Sequence, residues 1–257
     1  MKNTMKMMVT VATLTSIAGG MTALAAGEKD SATTKGRVNF TTGGLEGGTL
    51  PPTHPEEKPS FPIQPGEPGE PGGQGEGGPL SLDFAPGFNF DVHEVSTKDE
   101  EYSAKLITDT NTDEEVANFA QVSDRRGTST GWELSLTQED QFKTEDGSEL
   151  NGAELHLKNS TYFSMMPEMT AAEVTKEQDL KITPETTSVL MEANDGKGMG
   201  SHTIRFGSMA DGSAADAVTL KVPGTAIQYA DKEYTTTLNW NINAKPDNNE
   251  GENGQEV

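Results

Sequence analysis

Apolar residues recur in this chain with a period of two, in short runs broken by turn formers, and a chain written that way builds sheets. Strands are expected near residues 80–84, 88–92, 102–108, 119–123, 132–137, 153–162, 188–192, 203–206, 217–222 and 234–243. The gaps carry Pro86-Gly87, Gly127, Asp146-Gly147, Asp195-Gly196, Asp211-Gly212 and Pro223-Gly224, which set the backbone up to reverse. Many short strands with regular breaks predict an all-β antiparallel sandwich or barrel-like domain. Residues 169–179 (MTAAEVTKEQD) are rich in helix formers and read as a helical turn or a loop.

One segment cannot join such a core on its own. Residues 41–79 hold nine of the 14 prolines and 11 of the 28 glycines, with few large apolar side chains. That composition buries too little surface to offset its ordering entropy, so 42–79 is expected to be a mobile Pro/Gly-rich loop or linker. Just before it, Gly36-Arg37-Val38-Asn39-Phe40-Thr41 alternates as a half-buried strand does. A first strand at 36–41 is therefore expected, the alternative being a tail over all of 26–79.

The chain begins as exported proteins do. Lys2 and Lys6 precede a mildly apolar run from Met7 to Leu24, and Ala23-Leu24-Ala25 supplies small residues at −3 and −1. Residues 1–25 read as a signal peptide cleaved after Ala25. Thr10, Thr13, Thr15, Ser16 and the Gly19-Gly20 pair argue against a retained span, and no membrane insertion is expected after cleavage. Residues 26–257 are expected to form one domain, with a polar tail at 247–257 that has no LPxTG-type sorting motif. There is no cysteine, hence no disulfide and no lipoprotein acylation site. No covalent anchor is visible, so retention at a surface would be noncovalent. The net charge of −22 excludes nucleic acid as a partner, and it repels bare anionic wall polymers and lipids. Binding to such a surface would rest on hydrogen bonds, aromatic stacking or a bridging cation.

The two tryptophans of the chain have similar surroundings. In Gly131-Trp132-Glu133-Leu134-Ser135-Leu136, the residues Trp132, Leu134 and Leu136 share a strand face; near the C-terminus Leu238, Trp240 and Ile242 do the same. In these residues, and in the approach Val122-Ser123-Asp124-Arg125-Arg126-Gly127, the chain resembles the WxL-domain proteins of low-GC Gram-positive bacteria. The likeness runs from Gly36 to Pro246 and departs from the pattern in Ile242, where leucine is usual. The resemblance implies noncovalent attachment to the cell wall, with peptidoglycan as ligand and with other surface proteins as possible partners. It makes Trp132, Leu134, Leu238, Trp240 and Ile242 the candidate binding residues. An indole can stack on a sugar and donate one hydrogen bond, but a tryptophan alternating with leucine on a strand is more usually core. Both readings stay open from sequence.

Other motifs are weak. Neither HExxH, a nucleophile elbow nor a phosphate loop is present, so no catalytic residue and no cofactor are expected. His54, His93, His156 and His202 lack metal spacing, and His156 should face solvent because Leu155 and Leu157 flank it. Asp109-Thr110-Asn111-Thr112-Asp113 begins like a calcium loop, but Glu114 replaces the glycine and Ala120 the bidentate glutamate. Arg125-Arg126 either pairs within this acidic chain or meets a peptide carboxylate. Two functions follow: a secreted, non-enzymatic wall-binding module, or a structural partner that docks on another surface protein and reaches the wall through it.

Overall fold

The structure, a computed structural model, describes residues 37–43, 48–57, 62–63, 73–166 and 171–246. The signal peptide and the 247–257 tail lie outside these. Among the described residues fourteen strands follow in chain order. The first seven are β1 (Leu80–Phe84), β2 (Glu100–Ser103), β3 (Ile107–Asp109), β4 (Glu114–Val116), β5 (Phe119–Asp124), β6 (Trp132–Gln138) and β7 (Glu154–Lys158). The rest are β8 (Ser160–Phe163), β9 (Glu173–Val174), β10 (Asp179–Ile182), β11 (Thr187–Ala193), β12 (Gly200–Phe206), β13 (Val218–Val222) and β14 (Leu238–Ala244). The 3-10 turn Ser213–Asp216 lies between β12 and β13.

Every strand pair is antiparallel. Three four-stranded sheets run β1-β5-β12-β8, β10-β7-β13-β2 and β14-β6-β11-β9, and β3-β4 is a separate ribbon. The sheets close on one core. Val122, Ile204 and Phe206 come from the first, Leu155, Leu157, Ile182 and Val218 from the second, and Trp132, Leu134, Leu136 and Leu190 from the third. The expected all-β sandwich is the architecture found; the sheets do not join into a closed barrel.

Local chemistry explains where the strands depart from the alternating pattern. Residues 153–162 are two strands, because Asn159 adopts a left-handed φ of 52°. That corner hands the chain from the β7 sheet to the β8 sheet; asparagine tolerates this conformation better than most residues. Residues 88–92 are no strand. Phe88 and Phe90 pack inward on Phe206 and Phe142 without a ladder, and Asp91 at φ 65° ends the extended run. Residues 102–108 split between β2 and β3, and 234–237 precede β14 as irregular chain. Where a helical turn or loop was expected, residues 171–178 hold the short β9; packing against β11 overrides helix propensity there. The strands β4 and β10 are too short or too polar to announce themselves.

The expected first strand is not formed. Residues 37–41 carry no strand pairing, and Val38 and Phe40 are 72% and 89% exposed. The Pro/Gly-rich segment departs from a spacer in its described parts. Leu50 N–H donates to Asp83 and Thr53 N–H to Gln121, at 3.0 and 2.9 Å. Ile63 is buried with Phe84 and Phe119. Asp83 is fully buried and also accepts from Ser81, Gln121 and Ser123, so the strap is fastened by polar groups that composition does not reveal. Further on, Gly75 N–H donates to Leu82 O and Ala85 N–H to Gly73 O, which lays residues 73–75 along the outer edge of β1.

Candidate functional site

The two tryptophan motifs meet on one sheet. In the β14–β6 ladder Trp240 stands opposite Leu136, Ile242 opposite Leu134 and Ala244 opposite Trp132. Directly opposed residues share a face, so all the candidate binding residues point to the same side, inward.

They do not stand at the same depth. Trp132 and Leu134 are completely buried, because β6 is a central strand. The Trp132 Nε1–H donates to Gly198 O at 2.9 Å. A Cβ at Gly198 would come within 2.4 Å of that nitrogen, so only glycine, at φ 82°, can bring the carbonyl there. The indole also tilts against His202, ring centres 5.5 Å apart. His202 Nε2 lies 3.2 Å from Met199 O and Nδ1 lies 2.8 Å from Tyr162 Oη. A carbonyl only accepts, so Nε2 carries the proton and Nδ1 accepts from the tyrosine. Burial holds the His202 pKa below its ordinary value and raises that of Tyr162.

The approach sequence sets the start of β6. The Arg126 guanidinium forks onto the buried Asp124 carboxylate at 2.7 and 3.0 Å and donates to Gly131 O at 2.8 Å. Arg125 donates to Gly48 O and Gly78 O. Arg126 is thus ion-paired within the chain as expected, whereas the hydrogen bonds of Arg125 go to backbone carbonyls.

On the edge strand β14, Leu238, Trp240 and Ile242 are half-buried. The Trp240 ring meets Phe88 edge-on at 6.4 Å. Leu238 and Trp240 line a groove of about 610 Å³, with Thr137, Asn239 and Asn241 beside them and Gly73, Gln74, Gly75, Leu82 and Ala85 across it. None of these ten residues is charged, in a chain of net charge −22. Sequence reasoning found Leu238 and Trp240 but missed the opposite wall; its glycines read as spacer.

The other sequence candidates resolve locally. His156 is buried rather than solvent-facing, since Asp179 on the neighbouring β10 reaches its Nδ1 at 2.6 Å. His93 stacks on Tyr102 at 4.0 Å, and His54 Nδ1 accepts from the N–H groups of Glu56 and Glu57. Asp109 accepts from Asn111 N–H and the Thr112 hydroxyl in the β3–β4 turn. Among the described residues no group of three or more His, Cys, Asp or Glu is placed to hold a metal ion, and no helix is long and apolar enough to cross a membrane.

A family model described as "WxL domain surface cell wall-binding" matches residues 27–246. No curated protein sequence and no solved structure matches the chain. With both tryptophan motifs paired on one sheet and the match covering most of its length, the chain belongs to the WxL-domain family of cell-surface proteins that bind the cell wall.

Proposed function

We propose that this protein is a secreted, non-enzymatic wall module that binds peptidoglycan through the groove beside Trp240. The observation that carries this reading is the absence of charge in that groove. A glycan strand presents hydroxyl and acetamido groups and apolar ring faces. Gln74, Asn239, Asn241 and Thr137 border the groove and carry amide and hydroxyl donors and acceptors, and the partly buried Trp240 and Leu238 supply apolar surface. A neutral glycan also escapes the repulsion that the acidic surface exerts on anionic wall polymers. In this reading Trp132 and Leu134 shape the sheet and touch no ligand, whereas Leu238 and Trp240 contact it and Ile242 supports them.

The test uses mature protein and purified peptidoglycan sacculi with nothing else present. The wild type is expected to sediment with the sacculi. Asn239→Asp/Asn241→Asp, which places two carboxylates at the border of the groove, is expected to stay in the supernatant with an unchanged circular dichroism spectrum. Equal sedimentation of the two would remove the groove from the mechanism.

The second reading, docking on another surface protein, is favoured by one feature: among the described residues no strand covers the outer edge of β14. Such an edge can accept a partner's strand. A protein that pellets with sacculi only after a partner is added would support it.

A further inference from the structure

The β14 edge can be read group by group. Glu139 N–H donates to Thr237 O and Lys245 N–H donates to Gly131 O. These bonds flank the β14–β6 ladder and set its parity. The hydrogen-bonded positions of β14 are Asn239, Asn241 and Asn243, opposite Thr137, Ser135 and Glu133. The N–H and C=O groups of Leu238, Trp240 and Ile242 therefore point away from β6. Edge strands are usually blunted by proline, lysine or a bulge. β14, with the sequence LNWNINA and an unbroken register, has none of these, and beside Leu238 and Trp240 it borders the groove.

The chain also carries a segment that fits such a slot. Val38 and Phe40 alternate with polar residues, as a strand does, yet stand 72% and 89% exposed. Between Ser31 and Leu45 there are two basic residues, Lys35 and Arg37, and no acidic one, in a chain of net charge −22. The described residues 37–41 are thus apolar on alternate positions and outside any ladder, and the segment's charge is opposite to that of the protein as a whole.

We propose that residues 38–40 of a second copy dock in the groove as an added strand. Their backbone pairs with the outward groups of Leu238 and Trp240. The Val38 and Phe40 side chains cover Leu82, Ala85, Leu238 and Trp240. Reciprocal exchange gives a closed two-fold dimer, in which each copy both donates and receives a strand. The groove is the one assigned above to wall glycan, so the two occupants exclude each other in any one copy. The test contains no wall polymer, and its outcome is independent of that assignment.

Sedimentation velocity of the mature protein from micromolar to sub-millimolar concentration is expected to show a monomer–dimer equilibrium. A synthetic peptide spanning residues 35–42, added in excess, should shift it to monomer. Phe40→Asp should be monomeric throughout with an unchanged circular dichroism spectrum, because Phe40 is exposed and contributes little to the fold. A wild type that stays monomeric over the whole range, or a dimer that persists in Phe40→Asp, overturns the proposal.

Discussion

Replacing Trp132 by alanine separates a folding role from a contact role. The indole is completely buried, and a side chain of this size removes about 150–250 Å² from water. At about 25 cal/mol per Å² the burial is worth roughly 4–6 kcal/mol, in line with the 3–5 kcal/mol or so that large aromatic truncations cost in cores. The Gly198 carbonyl, which accepts from Nε1 at 2.9 Å, loses its partner and adds about 1 kcal/mol. A loss near 5 kcal/mol is a large share of the roughly 5–15 kcal/mol that holds a domain together. Urea unfolding of the mature protein, followed by circular dichroism, should show a much lower midpoint with little change in slope. Sacculus binding should fall only as far as the folded fraction falls. A variant within about 1 kcal/mol of wild type that nevertheless loses all wall binding would refute the reasoning, because the indole would then have to act on the ligand.

Trp240→Ala should behave in the opposite way: partly buried on an edge strand, it should cost about 2–4 kcal/mol while sacculus sedimentation drops severely, and a folded variant that still binds would contradict this. Arg126→Gln leaves the Asp124 carboxylate, 1% exposed, without its fork, and urea midpoints should register a loss of about 3 kcal/mol. Because burial lowers the His202 pKa below 6.5, the unfolded chain takes up this proton first as pH falls. Stability should therefore decline on acidification below 6.5 toward the folded-state value, and be indifferent to this group above it; a His202→Gln variant should show a smaller drop in urea midpoint between neutral and mildly acidic pH. Asp83→Ala removes the acceptor of Leu50 N–H, and limited proteolysis should then cut faster within residues 48–57 than in the wild type.

Much of the fold is legible locally. The alternation of Trp132, Leu134 and Leu136, and of Leu238, Trp240 and Ile242, places each set on one strand face with no knowledge of neighbours. The turn formers mark where strands stop. The failures share a cause. Phe88 and Phe90 alternate like strand residues but pack as an irregular segment, since burial can be satisfied without a ladder. His156 is hidden by Asp179, which is 23 residues away. The Gly-rich stretch looks like spacer because glycine shows no pattern, yet residues 73–75 pair along β1.

The sequence by itself determined the strand period, the acidity, the want of cysteine and the kinship of the two tryptophan motifs, because each is a property of adjacent residues. Only the tertiary structure decided that the motifs pair, with Trp240 opposite Leu136, and that one indole is sealed while the other borders a groove. Depth depends on whether a strand is central or at an edge, and that is set by hydrogen bonds between segments about a hundred residues apart, which no local pattern encodes.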